Sequence, residues 1–263
     1  MSEPPVPEWV VFHIPHDSTE IPVEVSEQFV IDAPTLRQEI LRMTDHQTMA
    51  LFTGAGVSPA QIVRAPVSRL VVDVERFEND GQEPMAGRGM GVVYTRTSSG
   101  MPLRRALLGF ERQALIERWY RPHHERLGHV VRRTLNDHGR ALVIDAHSFP
   151  SLPLPYEADQ RLERPQVCIG ADDYHTPETL YEAFLNAFRR GGYDVGLNTP
   201  FAGALVPLMH YQTDRRVMAV MIEVNRGHYM NESTGERNQE FEAISIAIRA
   251  CIRRAIESWW PTT

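Results

Sequence analysis

Short apolar runs bounded by polar or helix-breaking residues recur along the chain, and three of them share one signature. Residues 9–14 (WVVFHI), 141–144 (ALVI) and 218–222 (MAVMI) are too short for helices and rich in branched side chains. That pattern predicts buried strands of a parallel sheet. Each run leads straight into ionisable residues: His16, Asp17 and Glu20 after the first, Asp145, His147 and Ser148 after the second, Glu223, Asn225 and Arg226 after the third. Ligands of open α/β sheets bind at the carboxyl ends of strands. The three ends are therefore expected to converge on one site. Further strands are predicted at 61–64, 68–74, 91–94, 165–170 and 193–198.

Apolar residues at helical spacing predict helices over 34–52, 107–137, 177–190 and 240–259. Pro122 should kink or split the second of these. Thr176 caps the third, Pro177 suits its first position, and Gly191 with Gly192 ends it. Strands alternating with helices predict a three-layer α/β architecture with a mostly parallel sheet. No repeat or linker interrupts it, so one domain over residues 1–263 is expected. Residues 77–103 are rich in Gly, Asn, Asp, Glu and Pro and form a long excursion of the kind that serves as a lid or binding loop. Gly87, Gly89 and Gly91 lack the preceding strand and following helix of a dinucleotide fingerprint.

Composition narrows the function class. The chain has 263 residues and a net charge of -7, against the basic footprint that nucleic-acid binding needs. No apolar run approaches about 18 residues, so no membrane span is expected. Residues 1–8 read as a proline-rich tail, and Met1 to Pro5 lacks the basic and apolar parts of a secretory signal. Cys168 and Cys251 sit in apolar segments and read as free thiols, which fits a cytoplasmic protein.

The ionisable residues suggest metal chemistry on a small-molecule substrate. Catalytic zinc sites use three protein ligands, commonly His with Asp or Glu, and keep a position open for water. His16, Asp45 and His147 would supply two imidazoles and a carboxylate to Zn2+ or another divalent ion, with Asp17 and Glu20 competing for the carboxylate position. Glu223 suits a general base. Arg69, Arg76 and Arg226 could grip carboxylates with two parallel hydrogen bonds. Plainer readings stand beside these. His16 could be a surface loop residue, and Asp45 with His46 could lie on the solvated side of the 34–52 helix. Arg69 could pair with Asp73, and Glu223 with Arg226. His123 and His124 could sit at a solvated kink rather than at a site.

Six stretches then resemble motifs of the N-formylglutamate amidohydrolase (deformylase) family, in family order: 14–22 (IPHDSTEIP), 68–73 (SRLVVD), 120–127 (YRPHHERL), 145–148 (DAHS), 198–203 (NTPFAG) and 223–230 (EVNRGHYM). The resemblance covers residues 9 to about 232. The resemblance implies a phosphorylase/hydrolase-like α/β fold related to zinc carboxypeptidases. It also implies metal-dependent hydrolysis of an N-acyl amino acid, typically N-formyl-L-glutamate at the end of histidine breakdown. In these terms Glu223 and Arg226 are expected to be catalytic, Arg69, Arg76, His123 and Asn198 to bind substrate, and His16, Asp45 and His147 to hold the metal. The chain departs from the family pattern at Asp17 and Ser18, where Ser-Gly is usual, and at 171–175 (ADDYH), where the family is usually Gly-rich. Those changes bear on substrate. Hydrolysis of a different amide, or non-catalytic binding of an acidic metabolite, are the alternatives.

Overall fold

The apolar runs do form the centre of a sheet. A computed structural model describes residues 4–260; the first three residues of the expected tail lie outside the described residues. Six strands, β1 (Val10–Ile14), β2 (Ile62–Arg64), β3 (Ala141–Phe149), β4 (Val167–Gly170), β5 (Val195–Leu197) and β6 (Val217–Asn225), lie in the order β2-β1-β3-β6-β4-β5. All neighbours are parallel except β6 and β4, so the sheet is mostly parallel, as expected. Every residue of β1, β3, β4 and β6 is buried, which is why these strands read as continuous apolar runs.

Among the described residues, seven α-helices accompany the sheet: α1 (Val23–Ser26), α2 (Ala33–Met43), α3 (Thr48–Phe52), α4 (Gly109–Leu115), α5 (Arg121–His138), α6 (Glu178–Arg190) and α7 (Phe241–Trp259). Alternate strand residues point to opposite faces. Phe12, Ile14, Leu142, Ile144, Val220 and Ile222 pack against Phe52 of α3, Phe184 and Phe188 of α6, and Ile248 and Ile252 of α7. Val11, Ala141, Val143, Val217 and Ala219 pack on the other side against Leu127, Val131 and Leu135 of α5. The result is the expected three layers.

Two local expectations differ from what forms, and one, a split near Pro122, holds. The 34–52 helix breaks between α2 and α3, where Thr44 is extended and Gln47 takes a left-handed φ of 68°. The 107–137 helix widens into a π turn at Ile116–Tyr120 and resumes as α5 with Pro122 in its first turn. A proline ring offers no N–H and crowds the preceding turn, and the wider turn accommodates it. Residues 68–74 and 91–94 make no strand. Ser68 Oγ accepts from the Leu70 N–H, and Asp73 Oδ1 from the Glu75 N–H, which folds the first segment into turns. Its apolar residues are buried in satellite clusters, Val71 and Val72 with Val92, and Leu70 with Tyr94.

Candidate active site

The sheet face that packs on α5 changes character halfway along. β1 passes from Val11 to His13, β3 from Val143 to Asp145 and His147, and β6 from Ala219 to Met221 and Glu223. Register places His13 beside Asp145, and His147 beside Glu223. Asp145 and His147, expected at the end of the apolar run 141–144, lie inside β3, because pairing with β6 carries that strand to Phe149. His16 follows β1, and the turns after Ser68 bring Arg69, Asp73, Glu75 and Arg76 over the polar half of the face.

His16, Asp45 and His147 come together, with one ligand atom of each within 4.8 Å of the others. His16 Nε2–H donates to Asp73 Oδ1 at 2.8 Å. Its Nδ1 is buried, makes no hydrogen bond, and lies 3.6 Å from Asp45 Oδ2. His147 Nε2–H donates to Asp145 Oδ1 at 3.1 Å, and its Nδ1 lies 3.1 Å from Asp45 Oδ2. Each imidazole thus has its outer nitrogen fixed by a carboxylate and its Nδ1 turned inward. Metal-ligating histidines show this arrangement. Burial alone would pull the His147 imidazole down, but Asp145, Asp45 and Glu75 hold it well above the usual histidine range. With the buried His16 Nδ1 left without a partner and three ligand atoms gathered around one point, the donor set fits a metal.

The break between α2 and α3 is what presents Asp45. Its N–H donates to the His16 carbonyl at 2.9 Å. Arg226 Nη2 donates to Asp45 Oδ1 at 2.7 Å, while its Nη1 donates to the Arg42 carbonyl at 2.7 Å and its Nε to Ser148 Oγ at 3.1 Å. Burial would push the Asp45 carboxyl up; the His147 hydrogen bond, the nearby His16 imidazole and the Arg226 charge hold it well below the usual range. The rival carboxylates do not reach the group. Asp17 pairs with Arg64 at 3.2 Å, and Glu20 is exposed.

Glu223 faces the same cavity of about 180 Å³, which His16, Asp45, Arg69, Arg76 and His147 also line. Its Oε2 is buried without a hydrogen-bond partner, and burial pushes the carboxyl up to about 8. The pairing of Glu223 with Arg226 does not form, because Asp45 takes the guanidinium. Arg69 donates to Asp73 Oδ2 from Nη2 at 2.8 Å and to the Tyr94 hydroxyl from Nε at 3.1 Å. Arg76 is less committed: its Nε is buried without a hydrogen-bond partner, 3.6 Å from Asp73 Oδ2. Arg42, half exposed, completes the cationic wall.

Two expected substrate contacts lie elsewhere. His123 is buried behind the site, its Nε2 2.9 Å from His13 Nε2, and does not line the cavity. Asn198 is exposed after the edge strand β5, where its Oδ1 accepts from the Ala171 N–H at 2.8 Å. Sequence reasoning passed over His13 and Glu75. The signal for His13 was present, an ionisable residue inside a fully buried strand.

An α/β sheet whose polar half gathers two inward-turned imidazoles, a carboxylate and a second, unpaired carboxylate around one cavity defines a hydrolase-type site able to hold a metal. The comparisons make the class specific. The chain belongs to the N-formylglutamate amidohydrolase family, whose model matches residues 9–230. It is 28% identical over 255 residues to the N-formylglutamate deformylase of Pseudomonas aeruginosa, covering 95% of this chain and 91% of that one. It is 27% identical over 230 residues to the N-formylglutamate deformylase of Pseudomonas putida, covering 85% and 82%. The crystal structure of N-formylglutamate amidohydrolase from Ralstonia eutropha JMP134 superposes with a TM-score of 0.78 at 22% identity, over 96% of this chain and 95% of that one. A structure from Agrobacterium tumefaciens superposes at 0.65 with 18% identity, over 95% and 91%. Both share the fold. Among the described residues no helix is long and apolar enough to cross a membrane.

Proposed function

We propose that the protein hydrolyses the formyl amide of N-formyl-L-glutamate to formate and L-glutamate, using a divalent metal ion, zinc by its mixed donor set, at His16, Asp45 and His147. The observation that carries this reading is the buried, unpaired Glu223 carboxylate facing the three inward-turned ligand atoms across one cavity. The ion, when bound, polarises the formyl carbonyl and lowers the pKa of water toward about 7. Glu223 takes the proton of the attacking water and delivers it to the leaving nitrogen. Glu223, facing His16, Asp45 and His147 across the cavity, would be ionised and able to accept that proton were those residues to hold a dication.

Arg76, with its free Nε, and Arg42 hold the substrate carboxylates; Arg69 lines the cavity but already serves Asp73. Arg226 acts on the ligand set by fixing Asp45, and is a positioning residue. His123 and Asn198 make no substrate contact in this reading. The reaction closes histidine breakdown in the cytoplasm, with Cys168 and Cys251 as buried free thiols.

The test is formate release from N-formyl-L-glutamate by purified protein, before and after exhaustive chelation and on returning zinc. Release that chelation abolishes and zinc restores is expected. No release from the zinc-loaded protein, or release indifferent to chelation, would overturn the reading.

A further inference from the structure

A second cluster of ionisable side chains sits on the same sheet face, nearer its centre. His13 of β1 and Asp145 of β3 are cross-strand neighbours, and Glu75 reaches them from the turns that follow Asp73. His13 Nδ1 lies 2.9 Å from Asp145 Oδ1 and 3.3 Å from Glu75 Oε1. One ligand atom from each of the three falls within 4.8 Å of the others. His13 and Asp145 are fully buried, and Glu75 Oε1 is buried without a hydrogen-bond partner.

Two carboxylates buried side by side repel unless a positive charge lies between them. His147 reaches both carboxylates, but as a ligand of the first ion it is neutral and offsets neither; the nearby guanidiniums do not supply the charge either. Arg69 serves Asp73 and Arg226 serves Asp45. Arg76 has Asp73 as its nearest carboxylate, 3.6 Å away. Asp145 Oδ2 is taken by the Leu205 N–H at 2.8 Å, which turns Oδ1 toward His13 and His147.

The imidazole pair allows such an ion: in the empty site His13 Nδ1–H donates to Asp145 Oδ1 at 2.9 Å, and an ion there takes the other tautomer. His13 Nε2 and His123 Nε2 are 2.9 Å apart, so one must donate and the other accept. With Nε2–H donated to His123, His13 turns a bare Nδ1 lone pair toward both carboxylates. Three lone-pair donors facing one point repel when the point is empty and coordinate when it holds a cation. His16 shows the same outer-nitrogen restraint in the first group. One imidazole nitrogen and two carboxylates suit a borderline divalent ion. Glu75 also lines the cavity and a neighbouring recess of about 290 Å³, so an ion has a route in.

We propose that His13, Asp145 and Glu75 form a second divalent-cation site beside His16, Asp45 and His147. His147 stands between the two groups, its Nδ1 3.1 Å from Asp45 and its Nε2 3.1 Å from Asp145 and 3.8 Å from Glu75. The second site rests on its own three residues and does not depend on which amide the protein cleaves.

The test counts ions. Full-length protein stripped by chelation is dialysed against rising Zn2+ and its metal content measured by mass spectrometry. Two ions per chain are expected in the unmodified protein, and one each in Glu75→Gln and His16→Ala, with folding followed by circular dichroism. Glu75→Gln keeps the side-chain shape and sits on a loop, so it tests the site without opening the core as a His13 substitution would. Saturation of the unmodified protein at one ion overturns the second site, as does a count of two in Glu75→Gln. A count of two in His16→Ala with one in Glu75→Gln keeps the second site and removes the first ligand assignment, so the two failures are distinguishable.

Discussion

Glu223→Gln should make the protein both more stable and nearly inactive, and the two effects have one cause. The Glu223 carboxyl is buried, its Oε2 meets no donor, and burial raises it from 4.5 to about 8. Its protonated form is therefore favoured in the folded chain. The folded state holds a proton that the unfolded state releases, so stability falls as pH rises from the unfolded value near 4.5 to the folded value near 8. A shift of that size corresponds to an upper bound of about 5 kcal/mol, at 1.36 kcal/mol per unit, and relaxation in the folded state brings it to a few. Glutamine is neutral throughout and escapes this penalty. In chelated protein the variant should melt with the wild type near pH 4.5 and several degrees above it at pH 8. Activity should move the other way. Loss of the proton acceptor costs about 10²- to 10⁴-fold in kcat, while zinc content stays near wild type. The assays are thermal melts of chelated protein across that pH range, with formate release by the zinc-loaded forms at one pH. A melting difference that does not grow with pH would refute the buried-acid argument. A kcat within a few-fold of wild type would give the proton to another group.

Other outcomes follow from the same geometry. Arg226→Lys keeps the charge but loses the fork that holds Asp45, the Arg42 carbonyl and Ser148; zinc affinity should fall about 10- to 100-fold, measured by competition with a chromophoric chelator. Asp73→Asn weakens the restraint on the outer nitrogen of His16 and should cost a similar factor in zinc affinity, with unchanged affinity counting against the ligand role of His16. Arg76→Lys should raise KM for N-formyl-L-glutamate with a smaller change in kcat, and unchanged kinetics would move the carboxylate grip to Arg42. Asn198→Ala, exposed beyond β5, should leave KM within about two-fold, and a larger rise would bring that edge of the sheet into the site.

The sheet was legible because its central strands are buried on both faces and spell themselves as apolar runs. Residues at or near the ends of those runs, His16, His147 and Glu223, were legible for the same reason. Asp45 was visible as a residue but not in its setting. The break that presents it depends on Arg226, far away in sequence, and on a left-handed Gln47 that no local signal announces. Residues 68–74 read like a strand because Leu70, Val71 and Val72 are buried, yet hydrogen bonds that the Ser68 and Asp73 side chains accept from the Leu70 and Glu75 N–H groups settle the backbone as turns. His123 and Asn198 belong to stretches that resemble family motifs, and a motif's span does not say which of its side chains reach the cavity. His13 carried a signal, an ionisable residue inside an apolar run, but only cross-strand register sets it beside Asp145.

The two-residue rhythm of β3 ties the far side of the sheet to the site. Leu142, Ile144 and Ala146 face Phe184, Phe188 and Ile252, while Asp145 and His147, between and beyond them, face the other way, His147 lining the cavity and Asp145 buried behind it. Sliding the strand by one position would thrust a carboxylate and an imidazole into hydrocarbon and leave alanine and isoleucine lining the cavity. Ile144 and Ile222 therefore act as a key for alignment although neither touches the cavity. Repacking around them is a way to shift the spacing of Asp145, His147 and Glu223 by tenths of an ångström without altering a single polar group. A search for variants with changed substrate preference can work from behind the sheet as well as from the cavity mouth.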